Sequence, residues 1–106
     1  MTVIIISIII VSMIVSFACK KTKKLFNEDV AEGFLKAIAT RAKEKLELLH
    51  FAASVDDLRI PPGNRLEALK GSRNGQYSIR VNDKYRICFM FENGSAYNVE
   101  ITDYHR

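Results

Sequence analysis

Residues 76–101 read QYSIRVNDKYRICFMFENGSAYNVEI, and their alternation decides the fold. Tyr77, Ile79 and Val81 share one parity while Ser78 and Arg80 take the other, the period of two expected of a strand with one buried face. Asn82 and Asp83 supply a tight turn, after which residues 84–91 put Tyr85, Ile87, Phe89 and Phe91 on one side and Lys84, Arg86, Cys88 and Met90 on the other. Asn93 and Gly94 form the most specific hairpin signal in the chain, because both residue types tolerate the positive φ that a two-residue hairpin turn demands. The return over residues 96–101 is expected to turn Tyr97, Val99 and Ile101 toward the core.

Upstream of this sheet the pattern changes. Residues 65–69 suit a short strand and residues 71–75 a polar loop, while Pro61, Pro62 and Gly63 end any regular element before them. Residues 54–58 suit a helical turn. Between residues 30 and 52, Phe34, Leu35, Ile38, Ala42, Leu46 and Leu49 recur near a 3.6 period, predicting one long amphipathic helix whose first turn Gly33 weakens by about 1 kcal/mol relative to alanine. Residues 22–28 suit a short helix, with Asn27, Glu28 and Asp29 as a boundary or an N-terminal cap for the next one. Residues 13–17 alternate as an opening strand. An α+β fold is predicted, an antiparallel sheet with one face covered by helix.

A chain of 106 residues is one small domain and leaves no room for a separate cofactor domain. With 48% hydrophobic and 26% charged residues it is neither disordered nor low in complexity. The formal charge of +4 is unevenly spread: residues 20–58 carry 8 basic and 7 acidic side chains, residues 59–91 carry 7 basic and 2 acidic, so the excess lies in the sheet region. Cys19 and Cys88 match no metal spacing and are too few for a disulfide scaffold, which points to a reducing cytoplasm.

The first 19 residues carry no charge, and residues 3–11 are nearly all Val and Ile, followed by Lys20, Lys21, Lys23 and Lys24. As a spanning helix, residues 3–19 sit at the short edge of the roughly 17–25 apolar residues a bilayer needs. A cleavable signal peptide lacks its leading positive charge. The preferred reading divides the chain into a start-site extension or hydrophobic segment over 1–12 and a single domain over 13–106, with Met13 as the functional start and no membrane role; anchoring through residues 3–19 is the alternative.

The chemistry falls on one sheet face and its loop, where Lys70, Arg73, Arg80, Lys84 and Arg86 collect, and on the ending Asp103, Tyr104, His105, Arg106. Charged residues on a sheet are ordinarily a solvated face, and a terminal histidine is more often idle than catalytic. Together they suit RNA cleavage without a metal. A base takes the 2′-hydroxyl proton, the oxygen attacks the adjacent phosphate, cations stabilise the phosphorane, an acid protonates the leaving 5′-oxygen, and an aromatic such as Tyr104 stacks on a base. No Walker loop, dinucleotide fingerprint, zinc-binding pair or nucleophile elbow occurs, and no cofactor is expected.

At these residues the sequence resembles a known family. The run from Leu69 and Lys70 through Gly71, Ser72, Arg73, Asn74, Gly75, Gln76, Tyr77, Ser78, Ile79, Arg80 and Val81, then Lys84, Tyr85, Arg86, Ile87 and the closing Asp103, Tyr104, His105, is similar to HigB-type toxins of the RelE/ParE superfamily. The resemblance covers residues 13–105. It implies a RelE-like fold with an N-terminal strand and two helices on an antiparallel sheet. It also implies a toxin of a type II toxin–antitoxin system that enters the 70S ribosomal A site and cleaves mRNA.

The partner implied is a HigA-like helix-turn-helix antitoxin, with operator DNA bound only through it. By the family pattern Lys70 and Arg86 stabilise the phosphate, Asp103 and His105 form the terminal acid/base group, and Tyr104 is the aromatic beside them; Arg73, Arg80 and Lys84 are the candidate RNA-binding residues. Glu67 stands where well-studied members carry a histidine, either as the base, merely as a residue that holds a cation, or as an ordinary sheet residue with activity reduced or shifted to His105. A ParE-like inhibitor of DNA gyrase, and a catalytically inactive binding protein of the same fold, are the alternatives.

Overall fold

The computed structural model describes residues 13–103. Its strands are β1 (Met13–Ile14), β2 (Glu67–Ala68), β3 (Tyr77–Arg80), β4 (Arg86–Glu92) and β5 (Ser95–Thr102), and its α-helices are α1 (Lys20–Glu28) and α2 (Ala39–Phe51). They form one sheet in the order β1-β5-β4-β3-β2. The β2–β3, β3–β4 and β4–β5 pairings are antiparallel as expected, but β1 joins the edge parallel to β5, with Met13 opposite Ser95 and Ile14 opposite Ala96. The helices lie between β1 and the rest of the sheet in sequence, so the first strand returns to the edge by a crossover and not by a hairpin.

The long helix expected over residues 30–52 is two pieces. A 3-10 helix spans Gly33–Ile38 and only then does α2 begin. Gly33 sits at φ +59, a left-handed conformation that no α-helix interior accepts, and Ile38 departs from helical geometry at φ −122 and ψ 13. Phe34, counted toward the core by its spacing, is consequently at the surface, stacked on Tyr85 at 4.9 Å between ring centroids. Asp29 closes α1 as a left-handed C-cap and does not open the next helix.

One face of the sheet packs on the helices. Leu25 of α1, Leu35 of the 3-10 helix, and Ala42, Leu46 and Leu49 of α2 meet Ile79, Val81, Ile87, Phe89, Val99 and Ile101 in a single buried cluster. Burying each of the larger side chains is worth about 1.5–3 kcal/mol. Two polar ties fix the helices: the Ile101 amide donates to Thr22 Oγ1 of α1 at 3.1 Å, and the Ile14 amide donates to His50 Nδ1 of α2 at 3.1 Å. Residues 13–19 therefore contribute a strand and a bridge from Phe17 to Val99, and are no part of a spanning helix over 3–19. Among the described residues no helix is long and apolar enough to cross a membrane.

Tyr97 faces away from the core. Cys88 pairs with Glu100 but Met90 pairs with Tyr97, so β5 sets two residues, Asn98 and Val99, against Phe89 alone. Asn98 takes up the extra residue at φ +53, and the parity of β5 changes there: Ala96, Val99 and Ile101 point inward while Tyr97 shares the outer face with Met90.

Candidate active site

The outer face of the sheet is built in rows. Glu67, Ser78, Cys88 and Glu100 lie opposite one another across β2, β3, β4 and β5, and the next row holds Arg80, Arg86 and Thr102. The second row borders a cleft of about 440 Å³ lined by Arg65, Glu67, Arg80, Asn82, Asp83, Lys84 and Arg86. Four cations face two carboxylates there, an arrangement suited to a polyanion. A larger groove of about 550 Å³ runs along α2 past Leu48, Phe51 and Leu58, but it holds none of the expected chemical groups.

Arg86 is the most tightly held side chain of the cleft. Its Nε donates to Ser78 Oγ at 2.7 Å, its Nη2 donates to the Arg65 carbonyl at 2.6 Å and to the Ser78 carbonyl at 3.3 Å, and Glu67 Oε1 lies 4.0 Å from Nη2. Arg65 reaches that position in a left-handed backbone conformation, φ 46 and ψ 56, directly after the 3-10 turn Pro62–Asn64. For a residue with a Cβ this costs roughly 1–2 kcal/mol. The turn itself hangs on buried Asn64, whose Nδ2 donates to the carbonyls of Leu58 and Ile60 and whose Oδ1 accepts from Lys45.

The other cations are arranged by the β3–β4 turn. Asn82 Oδ1 accepts the amides of Lys84 at 2.9 Å and Tyr85 at 2.7 Å, which sets the turn and with it the approach of the two strands. Arg80 pairs with Asp83, and Lys84 Nζ is 4.0 Å from Asp103 Oδ2, so the described end of the chain comes to the edge of the cleft. Of the expected residues, Glu67, Arg80, Lys84 and Arg86 line the cleft and Asp103 borders it.

Arg73 lies on the same face but outside the cleft, donating to Gln76 Oε1 at 3.0 Å and to Glu100 Oε1 at 3.2 Å. Lys70 is exposed on the loop before the 3-10 turn Gly71–Arg73 and does not line the cleft. Tyr104 and His105 lie outside the described residues. Arg65, Ser78, Asn82 and Asp83 join the site without having been expected. Only Asn82 and Asp83 carried a signal, as turn residues; Arg65 and Ser78 serve through a carbonyl and through a buried hydroxyl, which residue type alone does not reveal.

Cys88, in the first row of this face, is fully buried by its neighbours, and burial pushes its thiol from an ordinary 9.0 to about 11. It is a protonated, unreactive core thiol at neutral pH. Among the described residues no three His, Cys, Asp or Glu side chains gather to hold a metal ion.

Comparison with known proteins adds three findings. Residues 15–105 match the family described as HigB-like toxin, the RelE-like toxin of type II toxin–antitoxin system HigB. The chain is 39% identical over 87 residues to Toxin HigB-1 of Vibrio cholerae serotype O1, covering 81% of this chain and 92% of that protein. It is 37% identical over 93 residues to Endoribonuclease HigB of Proteus vulgaris, covering 88% of this chain and all of that protein.

Proposed function

We propose, from the premise that this chain belongs to the HigB-like family of RelE-like toxins of type II toxin–antitoxin systems, that its basic cleft is where translated mRNA is cleaved. The protein is a toxin with ribonuclease-type activity. The observation that carries the assignment of the site is Arg86, a guanidinium lining the cleft with three of its N–H groups bound by the protein and its Nη1 edge without a partner among the described residues.

The reaction is a metal-independent transesterification within RNA. A base removes the 2′-hydroxyl proton, that oxygen attacks the adjacent phosphorus, and the P–O5′ bond breaks as an acid protonates the departing oxygen, leaving a 2′,3′-cyclic phosphate. Arg86 stabilises the charge that builds on the phosphorane, where a fixed donor is worth more than a mobile one. Lys70, exposed just before the Gly71–Arg73 turn, acts as a second phosphate contact. Arg73, Arg80 and Lys84 bind the strand on either side. His105 supplies proton transfer and Tyr104 stacks on a base; both follow directly on Asp103, whose carboxylate meets Lys84 at the cleft edge.

Glu67 serves as the counter-charge that orients Arg86. Its carboxylate faces Nη2 at 4.0 Å, so in this reading it holds a cation and His105 carries the proton chemistry. The toxin acts in the cytoplasm on the 70S ribosome, its domain comprises residues 13–106, and its partner is a HigA-like helix-turn-helix antitoxin through which operator DNA is bound.

Induced expression tests the reading. It should stop protein synthesis and produce new 5′ ends inside translated messages, with plasmid supercoiling unchanged. Loss of supercoiling with intact messages would assign the protein to gyrase inhibition.

A further inference from the structure

We infer that Ser78 is a positioning residue of the cleavage reaction, holding Arg86 in the orientation that presents its Nη1 edge to the scissile phosphate. The inference rests on the assignment of Arg86 to the phosphorane and adds the group that sets its geometry.

Ser78 looks dispensable by residue type and is not so by placement. It stands on the outer, polar face of β3, yet it is fully buried. Arg86 lies diagonally across β3 from its own strand, and its side chain is only 16% exposed. The Ser78 hydroxyl accepts from Nε at 2.7 Å, and the carbonyl of the same residue accepts from Nη2 at 3.3 Å. The Arg65 carbonyl takes Nη2 from the far side at 2.6 Å. A planar guanidinium fixed at Nε and at Nη2 has neither position nor tilt left to choose, and the remaining Nη1 edge is set by geometry.

Such fixation matters to rate more than to affinity. A free arginine contacts a phosphate in many orientations and binds it nearly as well. Stabilising a phosphorane requires donors already aimed where charge develops, with no reorganisation during the reaction. Removing the Ser78 hydroxyl leaves Nε–H without its acceptor and frees the guanidinium to turn about the Nη2 contacts. Folding should survive, because the sheet pairings of Ser78 with Glu67 and Cys88 are made by backbone.

The test is a double-mutant cycle in single-turnover cleavage of mRNA on programmed ribosomes, with Ser78→Ala, Arg86→Ala and both together, and with urea unfolding of each variant. Ser78→Ala should slow the cleavage step by about 10- to 100-fold, the order of a lost hydrogen bond to a charged group, with ribosome affinity changed less than about threefold. In the Arg86→Ala background the same substitution should change the rate by less than about twofold, since there is no guanidinium left to position. Multiplicative losses in the double variant, or a Ser78→Ala protein at full rate beside a defective Arg86→Ala protein, would overturn the positioning role alone. An Arg86→Ala protein at full rate would overturn the assignment of the cleft and this role with it.

Discussion

Arg86, Glu67 and Cys88 share one sheet face and take three different parts in it. Arg86→Ala should lower cleavage by about 10²-fold or more, as should His105→Ala, the usual order for losing an aligned charge stabiliser or a proton-transfer group. The Arg86→Ala protein should stay folded, since Arg86 is no member of the core cluster, but should lose about 1–3 kcal/mol in urea unfolding as the Ser78 hydroxyl and the Arg65 carbonyl lose their donor. Glu67→Gln keeps shape and removes charge, so as a counter-charge it should cost no more than about 10-fold; near-abolition with ribosome binding retained would make Glu67 the base instead. Cys88 makes a prediction about pH. Its thiol is raised from 9.0 to about 11 in the folded protein, so the folded state holds the proton more tightly than the unfolded chain. The associated stability is fully present below pH 9 and is lost as pH rises through 11, at most about 3 kcal/mol. Urea unfolding at pH 8 and pH 11 should show an alkaline loss that Cys88→Ala reduces; equal losses in both proteins would contradict it. The sequence displayed Arg86 as a cation on a polar parity, and the structure keeps it there. It could not display Ser78 as its support, because a serine on a polar parity reads as solvated until the partner lying over it is known.

At the scale of the element, the alternation in residues 77–91 was sufficient to orient β3 and β4, because hydrophobic parity is what a half-buried strand must satisfy. It failed in β5, where the bulge at Asn98 adds a residue and reverses Tyr97. No composition rule separates an asparagine in a bulge from one on a strand face. The helix expected over 30–52 is interrupted for a related reason, since Gly33 counts as a mild propensity penalty in sequence but acts as a left-handed break. The turn at Asn64 is the element on which the cleft depends most. Asn64→Ala strands the buried Leu58 carbonyl and removes the partner of the half-buried Lys45 ammonium, and should cost about 1–3 kcal/mol in urea unfolding. Because the turn delivers the Arg65 carbonyl to Arg86, cleavage should fall as well, by about 10-fold. Unchanged stability would show that the turn holds without its asparagine.

The whole molecule divides its two faces between stability and chemistry. Helices bury one side of β1, β3, β4 and β5, and on the other side Arg80, Lys84 and Arg86 of the basic excess border a cleft whose edge Asp103 reaches. With the toxin domain proposed to begin at β1, a chain begun at Met13 should match the full chain in cleavage rate; a loss beyond about threefold would give residues 1–12 a part in the activity. The cleft is proposed to cut RNA presented by a ribosome. Purified protein should be incubated with one mRNA, free and on programmed 70S ribosomes, in the presence of a chelator. Cuts within the translated frame are expected only when ribosomes are present, with 2′,3′-cyclic phosphate ends and with the Arg86→Ala protein slower by about 10²-fold or more. Intact mRNA on the ribosome, or cleavage equally fast with Arg86→Ala, would contradict the proposal.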